Sequence, residues 1–187
     1  YLRELEIVPE TDVATALLFA IRTETLGYLR GTTQMEYEAS KYLHDFVDID
    51  LLNRMTNPAF TPETLDTIGE AILGREIRAS SLVAGVGVIT ERDAIPQAAD
   101  YLMRLEGIST VLVFGIVDER VEISARSADT RVNLDKVMRD AFGDVGSAGG
   151  HREMAGGEVP LGIFADATTD ERGLIDIVDR VVTTRLV

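Results

Sequence analysis

Apolar residues recur at helical spacing near the start of the chain. Val13, Ala16, Leu17, Ala20 and Ile21 form one stripe behind a Thr11/Asp12 cap, which predicts a helix over "TDVATALLFAIRTET". In "TTQMEYEASKYLHDF" Thr33 and Glu36 have the spacing of a capping box, and Ala39, Leu43 and Phe46 share a face. A short apolar helix from Ile49 to Met55 follows. Pro62 at a first helical position and Gly74 as terminator predict a fourth helix.

The pattern changes after Arg75. "IRASSLVAGVGVI" is rich in small and β-branched residues and predicts one long strand. "IPQAADYLMRLEG" reads as a helix closed by Gly107. The segment 108–127 reads as a hairpin turning at Asp118-Glu119-Arg120. In its second strand Val121, Ile123 and Ala125 alternate with Glu122, Ser124 and Arg126. Asn133 caps "LDKVMRDAFG", a glycine-rich loop follows, a strand is predicted from Glu158 to Phe164, and Thr169 caps a last helix. The predicted fold class is α/β: a helical N-terminal segment over 1–56, a connecting helix over 57–76, and a mixed-sheet α/β sandwich over 77–187.

Of the 187 residues 45% are hydrophobic, yet no apolar run approaches the length of a membrane span. No secretory signal opens the chain, so a soluble, cytoplasmic protein is expected. The absence of cysteine excludes disulfides and thiolate-held metals. Charge changes the picture most. Thirty-two acidic residues face 18 basic ones, a formal net charge of -14, and only Lys41 and Lys136 are lysines. Such a surface repels polyanions, which argues against duplex DNA binding through a basic face. Acid excess with so little lysine also suggests a halophilic origin, since concentrated salt screens the self-repulsion.

The segment "GSAGGHREMAGGEVP", from Gly146 to Pro160, carries the most pointed chemistry. Gly149-Gly150 and Gly156-Gly157 bracket His151, one of two histidines, and Arg152. Glycines admit positive φ and let a ligand approach the main chain, where exposed N–H groups can form an anion nest. Histidine and arginine add charged donors suited to phosphate. A plain tight turn is the competing reading. "SARS", from Ser124 to Ser127, puts Arg126 on one face of a strand with Ser127 at its end, where both could complete a phosphate cradle.

Taken together, the S-x-R-S strand, the Asn-Leu-capped helix, the G-G-H segment followed by A-G-G, and the closing strand and helix resemble the DHH-associated C-terminal domain of DHH-family phosphoesterases. That family includes RecJ-type exonucleases, oligoribonucleases, nucleotide phosphatases and cyclic-dinucleotide phosphodiesterases. The resemblance covers 77–187 and implies a substrate-gripping role for Arg126, Ser127, Gly149, Gly150 and His151. The N-terminal 56 residues are similar to the end of the family's catalytic DHH domain. There a segment of the type "ALLxGIxTDT" gives an aspartate to a two-metal centre, normally manganese. Here "ALLFAIRTET" places Glu24 at that position, one methylene longer.

No Asp-His-His triplet occurs, and His44 reads as a surface residue of an amphipathic helix. The resemblance therefore implies the substrate-binding portion of a longer, manganese-dependent hydrolase acting on oligonucleotides or nucleotides. No cofactor and no catalytic residue are expected for this chain alone. The expected partner is a nucleotide or short single-stranded nucleic acid, with no membrane, and a homodimer is admitted. The alternative is a non-enzymatic nucleotide-sensing or RNA-binding module, because domains of this type also accompany alanyl-tRNA synthetases.

Overall fold

A computed structural model describes residues 1–29, 31–165 and 170–185. The chain divides into two compact units, Tyr1–Ala59 and Phe60–Val187.

The first unit packs three helices: α1 (Thr11–Glu24), α2 (Gln34–His44) and α3 (Ile49–Thr56). The Thr33–Glu36 capping box forms at the start of α2, and Asp48 caps α3 through the Leu51 N–H. The stripe expected to bury α1 is displaced by one position. Val13 and Leu17 are exposed, while Ala14, Thr15 and Leu18 are buried, with Leu43 and Leu52 facing them. Helix α1 is apolar around most of its circumference, so periodicity leaves open which stripe turns inward. Packing against α2 and α3 selects the narrower one. Thr15 contributes to that choice: its hydroxyl donates to the Thr11 carbonyl and accepts the Asp48 N–H at 3.0 Å. Nor do Thr11 and Asp12 cap α1. Its N-cap is Glu10, whose side chain makes no capping bond.

The second unit is built on a six-stranded sheet. Its elements are α4 (Pro62–Leu73), β1 (Arg75–Arg78), β2 (Ser81–Val88), α5 (Ala94–Leu102), β3 (Thr110–Val117), β4 (Arg120–Ser127), α6 (Leu134–Phe142), β5 (Ser147–Gly150), β6 (Met154–Pro160), a 3₁₀ turn Gly162–Phe164, and α7 (Glu171–Arg185). The strand order is β1-β2-β3-β4-β6-β5, so β1 and β5 are the edges. Strands β2 and β3 run parallel, and the other neighbours are antiparallel. The expected mixed α/β sandwich is present.

Two cores follow from strand alternation. Leu82, Ala84, Val86, Val111 and Val113 meet Ile68 and Ala71 of α4 and Ile95, Ala98, Ala99 and Leu102 of α5. On the other face Leu112, Phe114, Ile123 and Ala125 meet Met138 and Phe142 of α6 and Val178 and Val182 of α7. Period-two alternation in β4 is as expected, with Val121, Ile123 and Ala125 facing that second core.

Three local expectations are corrected. The long strand over 77–89 is a hairpin, β1 and β2, because the chain reverses at Ala79 with a φ of 54°. The glycine-rich stretch is a hairpin as well, β5 and β6, since its backbone is extended and paired. The strand expected from Glu158 to Phe164 therefore starts earlier, at Met154, and stops at Pro160. The proposed cap Thr169 lies outside the described residues. Among the described residues no helix is long and apolar enough to cross a membrane.

Candidate functional site

Strand β4 carries Glu122, Ser124 and Arg126 on the face away from α6 and α7. Glu122 and Ser124 are buried, at 8% and 6% exposure. Glu122 lies in register with Glu158 of β6, a like-charge pairing that would be unfavourable without a cation between them. Arg92 supplies it, with Nε 2.9 Å from Glu122 and Nη2 3.7 Å from Glu158, and Arg120 pairs with Glu158 from its other side.

Arg126 is held from three directions. Its Nε donates to Asp100 Oδ1 of α5 at 2.6 Å, and its Nη1 donates to the Ser124 hydroxyl at 2.9 Å and the Ala125 carbonyl at 3.0 Å. These bonds fix the guanidinium plane and leave Nη2 without a partner among the described residues. The Ser127 side chain is committed to the fold. Its hydroxyl shares a hydrogen bond of 2.9 Å with Thr110, donates to the Ser109 carbonyl and accepts the Asp129 N–H. It pins the open end of the β3–β4 hairpin.

The sheet brings His151 toward Arg126 by strand order. Arg126 is the register partner of Met154, and the His151 N–H donates to the Met154 carbonyl at 2.7 Å. Arg126, Met154 and His151 therefore form a row across β4, β6 and the end of β5. Two strand spacings separate the backbones of Arg126 and His151, about 10 Å. His151 and Met154 are exposed.

The glycine pair is explained by close packing. Gly149 and Gly150 have φ of 156° and 154°. A Cβ on Gly150 would lie 2.6 Å from both the Ala155 Cα and the Met154 carbonyl oxygen. One on Gly149 would lie 2.9 Å from Arg139 Nη2 and 3.1 Å from Asp135 Oδ1. The expected nest of successive N–H groups is not formed, because an extended strand points alternate N–H groups to opposite sides. The Gly150 N–H is already occupied: Asp135 Oδ1 accepts it at 2.9 Å and accepts Arg139 Nε at 2.8 Å. The Arg139 hydrogen bond, then the Gly150 N–H, hold the Asp135 carboxyl below its ordinary range, and the charges of Arg139 and His151 add to this. Arg152 donates to the Thr130 carbonyl instead of joining the row.

Asp100 and Asp135 are the residues that sequence reasoning missed. Asp135 had a local signal, its i,i+4 spacing to Arg139 on α6. Asp100 had none, since it meets Arg126 across 26 positions.

Glu24 closes α1 in the helical unit and is exposed, and His44, also exposed, ends α2. Among the described residues no group of three or more His, Asp or Glu side chains converges to hold a metal ion. A two-metal centre needs several such donors on each ion. Glu24 by itself does not fit one.

Residues 79–183 match the family profile of the DHHA1 domain. Over all 187 residues the chain is 38% identical to an uncharacterized protein of Methanocaldococcus jannaschii, of which it spans only 38% of the length. Among solved structures, an exopolyphosphatase-related protein from Bacteroides fragilis superposes with a TM-score of 0.66 at 14% identity, covering 94% of this chain and 51% of that one. RecJ from Thermus thermophilus, in complex with Mg2+, gives a TM-score of 0.41 at 15% identity, covering 89% of this chain and 24% of that one.

Proposed function

Since this chain belongs to the DHHA1 domain family and is built as the C-terminal region of a DHH-family phosphoesterase, we propose that its sheet unit grips the phosphate of a nucleotide or short single-stranded nucleic acid. The Arg126–Met154–His151 row carries this reading. Arg126 brings a permanent charge whose plane is set before any ligand arrives, so little side-chain freedom is lost on binding. His151 brings an imidazole at the exposed sheet edge, and Met154 between them offers an apolar surface to a base or sugar. Gly149 and Gly150 act by letting α6 pack closely on the hairpin, which places His151. Ser127 acts by fixing the end of β4.

The net charge of -14 favours small or single-stranded ligands over a duplex, whose charge density would be repelled along its length. Hydrolysis belongs to the longer phosphoesterase of which this is the binding portion. Manganese is the metal proposed for that protein, and Glu24 alone supplies too few donors to assign it a step in this chain.

Calorimetric titration with adenosine monophosphate and short single-stranded oligonucleotides tests the reading. Arg126→Ala and His151→Ala should each weaken binding, Arg126→Ala by about 1.5–3 kcal/mol, the worth of a hydrogen bond to a charged group. Unchanged affinity in both variants would reduce the hairpin to a structural turn.

A further inference from the structure

The helical unit has a cleft of its own, about 450 Å³ in volume, where the ends of α1 and α2 meet the start of α3. Arg22 comes from the last turn of α1, and Lys41 and His44 come from the last turn of α2. All three line this space together with Tyr28 and Asn53. The placement follows from the fold: Leu18, Leu43 and Leu52 close the core below, and Arg22, one turn beyond Leu18, shares the rim with Lys41 and His44, which flank Leu43 on α2.

Cations at helix C-termini are favoured by the helix dipole, which explains why each sits where it does but not why all three share one cavity. Among the described residues none of the three is engaged in an ion pair or a side-chain hydrogen bond. That contrasts with the sheet unit, where Arg92, Arg126, Arg131, Arg139 and Arg185 all reach carboxylates. Carboxylates are abundant in this chain, 32 against 18 basic residues, and among the described residues the single one lining the cleft is Asp45. Two fixed positive charges and an imidazole outweigh it. The Asn53 amide and the Tyr28 hydroxyl add neutral donors, and the volume admits a phosphate group with room beside it.

We propose that this cleft is a second anion site, taking a phosphate group through Arg22, Lys41 and His44. It is independent of the hairpin site, because no residue is shared between them. An arginine fork and a point-charge lysine together suit a divalent oxyanion such as phosphate better than a monovalent one. A nucleotide and free phosphate present the same group, so the two sources are separated by experiment.

The two histidines provide the readout, since their ring signals can be followed separately by NMR in the intact chain. Titration with inorganic phosphate, against potassium chloride at matched ionic strength, should move the His44 signals saturably in phosphate alone. Arg22→Gln and Lys41→Gln should each raise the midpoint about tenfold, as loss of a charge-assisted hydrogen bond does. Both positions are exposed, and unchanged amide spectra elsewhere would show that the variants fold. A lower midpoint for adenosine monophosphate than for phosphate assigns the cleft to nucleotides, and equal midpoints assign it to free phosphate. The proposal is overturned if His44 follows chloride as closely as phosphate, or if neither variant moves the midpoint. Movement of His151 alone would keep the hairpin site and remove this one, and movement of His44 alone would do the reverse.

Discussion

Asp100→Asn should tighten phosphate binding at the hairpin site. In the free protein the Asp100 carboxylate neutralises the Arg126 guanidinium from behind at 2.6 Å. Two effects compete on its removal. Orientation is one: if Asp100 alone held the guanidinium in place, its loss would weaken binding. Arg126 Nη1, however, is also tied to Ser124 and the Ala125 carbonyl, and the asparagine oxygen can still accept from Nε. The orientation cost is therefore small. Charge is the other effect. A phosphate on the outer side of the guanidinium would lie roughly 6–7 Å from the carboxylate, where repulsion in a water-like dielectric is about 0.6 kcal/mol per unit charge. Asp100 is 60% exposed, so the water-like value is the appropriate one. For a dianion, with screening at physiological salt, about 0.5–1 kcal/mol of repulsion disappears, a gain of about two- to fivefold in affinity. Calorimetry with adenosine monophosphate measures it, and repetition in molar salt should erase the gain. Weaker binding by Asp100→Asn than by the wild type would overturn this expectation and make Asp100 the residue that positions Arg126.

Gly150→Ala should destabilise the sheet unit by about 1–3 kcal/mol in urea unfolding, from the strained backbone and the 2.6 Å approach to Ala155; an unchanged midpoint would mean the hairpin shifts freely. Burial, then the charges of Asp176 and Glu76, push the Asp179 carboxyl up. Its folded pKa exceeds its unfolded one, so its contribution is present in acid and is lost as pH rises through the folded value. Asp179→Asn should raise the thermal midpoint at neutral pH, and a lower midpoint there would contradict this. Asp129 has the opposite sign. Hydrogen bonds from the Arg131 side chain and N–H hold it at about 2, so its contribution is present above the ordinary 3.8 and fades as pH falls toward about 2. Asp129→Asn should flatten acid unfolding in that window, and an identical acid profile would contradict it. Molar potassium chloride should raise the melting midpoint well above its value at about 0.1 M by screening acidic self-repulsion, and equal midpoints would remove the halophilic expectation.

Where one physical signal dominated, the fold was legible in the sequence. The β3–β4 hairpin follows from strict alternation, because every second residue of β4 enters a core. The α2 capping box and the Pro62–Gly74 limits of α4 follow from local hydrogen-bond needs. Two apolar stripes competed in α1, and only contacts with other helices chose between them. The turn at Ala79 carries no glycine or asparagine to announce its positive φ. Glycine is a poor strand former, so β5 and the start of β6 resembled a loop until pairing partners were known. Arg126 and His151 stand out in the sequence by residue type alone, and their alignment does not. It depends on β6 entering the sheet between β4 and β5, an order that no local pattern encodes.

An open sheet ends in backbone that can recruit another chain's strand, and this one has two such margins. Along β1 the short sequence Arg-Glu-Ile-Arg sets charged groups beside the unpaired backbone, a known deterrent to strand addition. Strand β5 carries no charge and little side chain, which makes it the more exposed to polymerisation. There Asp135 lays its carboxylate on the outward Gly150 N–H, the group an incoming strand would need as its first donor. The same contact that seats the hairpin on α6 thus occupies a donor that strand addition along β5 would use.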